Sequence, residues 1–505
     1  MPTWFLKENS QTFVPVITRI VNTSLRTGVF PTPLKHAVIT PIIKKQSLDR
    51  NLLKNYRPVS NIPFISKVIE KQAIKSITDY MTREYLAKPL QSAYRALHST
   101  ESALLKVKDD IMQNLSQRKG VFLVLLDLSA AFDTVNHSIL LDRLSHDVGI
   151  KGVALKWIES YLTGRTTSVC INGVSSDSHR LRYGLPQGSI VGPQSFSIYS
   201  IPIGRIIRKH NLQYHLYADD IQLYVPFDIH DEESISTALS RLSSCISDIK
   251  SWMTLNMLKL NEQKTEFFIA VPDHLKSKIP PVSLQVGDKV IKPSDSVRNL
   301  GVVFDSSMSM HTHIKTLCSS LTYHLRNITR IRKFMDNDTC HLIVRALILS
   351  RLDYGNGLLL GSNACDIQRL QRIQNWAAKL ICMARKFDHA TPSLQELHWL
   401  PVRERVTFKI LVTVFKCLSG VAPGYLSSCL SLYKARRVNL RSASDTTRLT
   451  QHSTIRTLKS ASNRTFTYIA PAIWNHLPAH TRNHDSLYMF KKSIKTYLYP
   501  NVVSY

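Results

Sequence analysis

Apolar residues run without a break from Val121 to Leu126 and stop at Asp127. Such a run predicts a fully buried strand, and a carboxylate at its end is costly unless paired, hydrogen-bonded or bound to a metal. A second apolar stretch, Leu216 to Leu223, is interrupted by two adjacent acids, Asp219 and Asp220. Its β-favouring flanks predict a hairpin carrying both acids at its tip. Helical spacing governs other regions. Val16, Ile17, Ile20, Val21 and Leu25 predict a helix stopped by Gly28, and Ile235, Leu239, Leu242, Ile246, Ile249 and Met253 predict one amphipathic helix over 232–256. Residues 37–43 read as a strand leading into Lys44 and Lys45, and Ser66 is expected to cap a helix running through Lys71. Ser99 or Thr100 is expected to cap the next. Further helices are predicted over 366–382, with Arg369, Arg372 and Lys379 off the apolar face, and over 403–418.

Charge narrows the class of partner. The 505 residues hold 65 lysines and arginines against 36 acids, a net charge of +29. That excess points to a polyanion, either nucleic acid or an acidic membrane. It is concentrated after residue 310, where 28 basic residues face 9 acids. No apolar stretch of about 18 residues suggests a membrane span, and the first residues lack the pattern of a secretory signal. The eight cysteines form no Cys-x-x-Cys pair, so structural thiols are expected rather than a zinc knuckle. The tract 434–464 is rich in Arg, Ser and Thr and reads as a basic linker, with a small closing helical unit around Trp474 and Phe490.

Two neighbouring acids in a partly dry site repel each other by several kcal/mol unless a cation sits between them. Taken alone, a pair of aspartates between strands reads as a solvated turn. Together with Asp127, however, Asp219 and Asp220 form a set able to hold two Mg²⁺ ions about 4 Å apart, the arrangement used for in-line phosphoryl displacement. Mg²⁺ binds through one or two carboxylates plus substrate phosphates and needs no closed protein cage.

The stretches Tyr217–Asp220 (YADD), Asp127–His137 (DLSAAFDTVNH) and Gly184–Ser189 (GLPQGS) stand in one order and spacing. With NYRPVSNIPFISKVIEK (55–71), QSAYRALHSTESALL (91–105), LKLNEQKTEFF (258–268) and RNLGVVFD (298–305) they make the chain resemble a reverse transcriptase of a non-LTR retrotransposon, of the jockey-like LINE kind. The resemblance implies an α+β right-hand polymerase fold. Residues 1–110 would supply an N-terminal extension and fingers, and 111–310 a palm with an antiparallel sheet. A helical thumb over 311–420 and a basic C-terminal region over 421–505 would follow.

It also implies an RNA-directed DNA polymerase that uses two Mg²⁺ ions, with Mn²⁺ as a substitute. Asp127, Asp219 and Asp220, with the main chain of Leu128, would hold the metal. Arg95, and after it Arg57, would face the triphosphate, although each taken singly reads equally as a surface arginine. Phe132, five residues after Asp127, would exclude a ribose 2′-hydroxyl. Gln187 would lie near the template base, with Gly188 allowing close backbone approach. Lys264 would protonate the departing pyrophosphate, or be a surface lysine, and Leu300 and Gly301 would grip the primer end. The implied partners are an RNA template, a DNA primer or target DNA and deoxynucleoside triphosphates, with no membrane. Action would be nuclear, with a cytoplasmic ribonucleoprotein stage. Relatives carry an endonuclease ahead of the polymerase. Here it is expected to come from another molecule, unless Met1 is an internal methionine of a longer frame. Gln194 and Ser195 depart from the usual apolar residues and support one alternative, a decayed or recruited RNA-binding copy. A maturase or telomerase subunit explains the wording of the motifs less well.

Overall fold

The computed structural model describes residues 3–433, 447–451 and 464–499. The basic tract 434–464 lies outside these apart from 447–451 and Arg464.

Five strands form the central sheet, here numbered along the chain: β1 Lys119–Leu126, β2 Gln213–Tyr217, β3 Asp220–Asp228, β4 Glu266–Ala270 and β5 Pro293–Ser294. Their order is β5-β4-β1-β3-β2, antiparallel except where β5 joins β4. The uninterrupted apolar run of β1 follows from its central place, because both faces are covered. Phe122, Val124 and Leu126 enter one core with Phe267 and Leu223. Val121 and Leu123 enter the other, with Tyr224 and Phe268. Gly120 makes room for an aromatic neighbour: a Cβ there would lie 2.3 Å from the Phe227 ring, which stacks on Phe122 at 4.0 Å.

The helix Glu232–Leu255 covers β3 and the helix Thr100–Ser116 covers β1. Ser99 caps the latter and exchanges hydrogen bonds with Ser102, as expected. The Ser66 cap is corrected. That helix spans Phe64–Arg83 and starts directly after Pro63, whose fixed backbone suits a helix entry. Ser66 lies inside it and donates 2.9 Å to Glu70 Oε1. Glu70 Oε2 in turn accepts from Ile190 N at 2.7 Å, a buried carboxylate at the start of the helix Val191–Tyr199.

A second sheet joins His36–Ile43 to Tyr56–Asn61 and, in parallel, to Thr166–Ile171. Helices His311–Ile331, Ala364–Ile381 and Val402–Leu418 pack on the far face of the central sheet. The closing helices Phe466–Asn475 and Leu487–Leu498 share that core. Phe490 stacks on Phe415 at 4.3 Å and meets Trp474 at 5.5 Å. Residues on both sides of position 420 thus share one core. No described helix is long and apolar enough to cross a membrane.

Candidate active site

Tyr217 pairs with Asp220, so the β2–β3 turn consists of two residues, Ala218 and Asp219. Ala218 takes the left-handed conformation at φ 57°, which tight hairpins demand. The expected tip of two acids is thus divided: Asp219 sits in the turn and Asp220 begins β3. On the other side of β3, Leu126 pairs with Ile221. Asp127 therefore stands one residue beyond the ladder, level with Asp220, where neighbouring strands are about 5 Å apart. Register alone brings the three acids to one sheet end.

Their electrostatics show the crowding. Burial raises the pKa of Asp219, with Asp127 adding to the rise, against hydrogen bonding to its own backbone and the cations Lys264 and Arg57. Asp220 is pushed up to about 6 by burial first, then by Asp219 and Asp127. Asp127 Oδ2 accepts from Lys264 Nζ at 3.0 Å and from Asn261 Nδ2 at 3.2 Å. Its main-chain oxygen accepts from Asn261 N at 2.9 Å. The loop carrying these groups follows Lys259–Leu260, which pairs with Leu128–Ser129 and places Leu128 opposite Leu260. Carboxylate oxygens in this number suit a hard cation, and a cation relieves the repulsion that raises Asp220. Among the described residues no group of three or more acid, imidazole or thiol side chains, these three acids included, is gathered closely enough to hold a metal ion by itself. A resident ion would thus take further ligands from main chain or substrate.

The glycine loop packs beside Phe132. Leu185 N donates 2.7 Å to Phe132 O and Gly184 N 2.8 Å to Val135 O. The half-buried Phe132 ring lies 5.2 Å from Phe196. Gln187 Nε2 donates to both oxygens of Asp133, at 2.9 and 3.0 Å, and Ser60 N donates to Gln187 O at 2.7 Å. Gly188, at φ 125°, lies so close to Ser60 that a Cβ would stand 2.7 Å from its carbonyl oxygen. Gln194 and Ser195 are both buried in the following helix, and the amide of Gln194 reaches the sulfur of Met81 at 3.7 Å.

The two arginines differ in their surroundings. Nη1 of Arg95 donates to the carbonyl oxygens of Lys88 and Gln91, so that cation is engaged with its own loop. Arg57, not Arg95, is among the cations acting on Asp219. Leu300 and Gly301 form a two-residue turn between Asn299 and Val302, with φ of 42° and 88°. Tyr354 OH donates 2.7 Å to Leu300 O, and Asn299 Nδ2 donates 2.8 Å to Gln222 Oε1 on β3. Sequence reasoning missed Asn261, Tyr354 and Gln91, whose Oε1 accepts from Ala218 N at 3.1 Å. Asn261 and Gln91 lie inside stretches noted for their wording, but no periodicity marks them.

An antiparallel sheet presenting three acids at one end, flanked by a second small sheet and a helical body, is the palm of a right-hand polymerase fold. The chain belongs to the reverse transcriptase (RNA-dependent DNA polymerase) family, whose profile matches residues 43–304. It is 25% identical over 397 residues to the probable RNA-directed DNA polymerase from transposon X-element of Drosophila melanogaster, covering 77% of this chain and 42% of that protein. It is 27% identical over 311 residues to the RNA-directed DNA polymerase from mobile element jockey of Drosophila funebris, covering 59% and 32%. These relatives bear out the jockey-like resemblance, and the chain spans about two-fifths of the length of the first of them. Among solved structures, apo telomerase from Candida tropicalis aligns at a TM-score of 0.40 and 10% identity, over 72% of this chain and 58% of that one.

Proposed function

We propose that the chain is an RNA-directed DNA polymerase that extends a DNA primer on an RNA template by nucleotidyl transfer. The observation that carries this reading is the register placing Asp127 level with Asp220 beside the Asp219 turn. Two Mg²⁺ ions, with Mn²⁺ as substitute, would be held by Asp127, Asp219 and Asp220 with the main chain of Leu128. Bound there, they would supply activation of the primer hydroxyl and charge neutralisation on pyrophosphate.

The chain's own groups do the rest. Arg57, acting on Asp219 from Tyr56–Asn61, is the better placed of the two arginines for a triphosphate. Phe132 would lie beneath the sugar and exclude a 2′-hydroxyl. Gln187, anchored through Asp133, and Gly188 would form the surface under the template–nucleotide pair. Leu300 and Gly301, tied to β3 through Asn299, would hold the primer end. Lys264 would deliver a proton to the departing pyrophosphate. In this reading fingers, palm, thumb and C-terminal region take the ranges 1–110, 111–310, 311–420 and 421–505. The basic excess after residue 310 would follow the phosphate backbone of the product duplex. The work of such an enzyme would lie at nuclear DNA, with nicking supplied by an endonuclease.

The test is incorporation of dTTP on poly(rA)/oligo(dT) with Mg²⁺. Wild type should incorporate, and Asp219→Ala should lose about a thousandfold or more. Equal signals from the two proteins would end the proposal.

A further inference from the structure

The acids of the β2–β3 turn repel each other, and the turn is entered through an alanine in a conformation that alanine rarely adopts. Something must hold it. β2 is the edge of the central sheet, and behind the hairpin lies a cleft of about 750 Å³ lined in part by Gln91, Arg95, Leu216 and Tyr425. Residues 90–92 lie along β2 as a short parallel addition. Leu216 N donates 2.8 Å to Leu90 O, and Ser92 N donates 3.0 Å to Leu216 O. From this ribbon the buried Gln91 reaches the turn. Its Oε1 accepts from Ala218 N at 3.1 Å and from Ala93 N at 3.1 Å, and its Nε2 stands 3.5 Å from Ala218 O.

The ribbon is itself anchored from far along the chain. Tyr425 OH lies 2.9 Å from Ser92 Oγ and 2.9 Å from Ser102 Oγ. Ser92 Oγ also meets His215 Nε2 at 2.8 Å, and the Tyr425 ring stands edge-on to His215 at 5.0 Å. Ser92, His215 and Tyr425 are all buried, where each polar contact is strong and each lost one expensive. His215 stays uncharged there, its pKa pushed down to about 3 by burial and then by Lys106 and His98. Arg95 fastens the same ribbon by binding the carbonyl oxygens of Lys88 and Gln91.

We propose that Gln91 is a positioning residue that fixes the Ala218–Asp219 turn, and that Tyr425 holds Gln91 in place through Ser92. The segment after the thumb is thereby part of the catalytic apparatus. The inference rests on the polymerase reading for its kinetic consequence, but not for its geometric one. Two full-length variants test it: Gln91→Leu removes the single acceptor oxygen that takes both amide hydrogens, and Tyr425→Phe removes only the anchoring hydroxyl.

Gln91→Leu should lower kcat about tenfold or more with the KM for dTTP within about threefold, since displaced groups cost rate rather than binding. Hydrogen exchange in metal-free protein should speed up at the Ala218 amide while the amides of β1 keep their protection. Tyr425→Phe should shift rate and exchange the same way by about threefold. An unchanged kcat and Ala218 exchange in Gln91→Leu would overturn the proposal. So would exchange in Gln91→Leu that speeds up alike at Ala218 and across β1, the mark of a general loosening. A wild type that incorporates nothing sinks the polymerase reading alone, and the exchange measurement then decides the positioning role.

Discussion

Lys264 Nζ stands 3.0 Å from Asp127 Oδ2, an ion pair closed across 137 residues of chain. The lysine side chain is 67% exposed and the aspartate 25%, so the pair is screened and weak by itself. Its importance lies in competition, because a divalent ion and the ammonium seek the same carboxylate. Lys264→Met is therefore expected to tighten Mg²⁺ binding to the nucleic-acid-free protein by about threefold to tenfold. If Lys264 has the proton-donor role proposed above, the same change should also lower the maximal rate by about 10²-fold. Calorimetric titration with Mg²⁺ beside steady-state kinetics checks the two opposite signs.

Asp220 gives a pH dependence with a definite sign. Its pKa in the folded chain is raised to about 6 by burial, Asp219 and Asp127, while an unfolded aspartate titrates near 3.9. The folded state thus binds the proton more tightly, and the stabilisation this gives is full below about pH 4. It is lost as pH rises through about 6. Asp220→Asn should remove that loss and stabilise metal-free protein at pH 7 by about 1–2 kcal/mol once solvent screening is allowed for. At pH 4 the two proteins should unfold alike. Denaturant midpoints at the two pH values decide it.

Gly188 combines φ 125° with a Cβ position 2.7 Å from Ser60 O. Any side chain there is both strained and in collision with backbone. Gly188→Ala should cost about 1–3 kcal/mol and push Gln187 from the Ser60 amide it accepts. Activity should fall more steeply than stability, seen as a rate loss at temperatures where circular dichroism shows the chain folded.

Phe132 is held by its ring contact with Phe196 and by the bond from Leu185 N to its carbonyl oxygen. Phe132→Val shortens the ring without disturbing that backbone bond. Incorporation of rUTP relative to dTTP should rise by about tenfold or more, the scale of a removed steric contact in a tight pocket. Measuring kcat/KM for both nucleotides tests this, and an unchanged ratio would remove Phe132 from sugar selection.

What the sequence by itself determined was what neighbouring residues dictate to each other. The run Val121–Leu126 required a strand covered on both faces, and β1 is such a strand. The flanks of Asp219 and Asp220 required a hairpin, and the spacing of Ile235 to Met253 required a helix, found at Glu232–Leu255. Period and turn chemistry are local properties, so they survive reading without a structure.

Only the tertiary structure decided which side chains serve these elements. The register that sets Asp127 beside Asp220, the pairing of Lys264 and Asn261 with Asp127, and the engagement of Arg95 with its own loop join residues with no common periodicity. Ser66 lost its capping place to Pro63, since its hydroxyl was required by Glu70. Charge along the chain marks only surface and did not show that Tyr425, Trp474 and Phe490 are buried in the common core. Polar contacts of this kind are short-ranged and directional, and depend on where the packed backbone places a donor, which no pattern along the chain encodes.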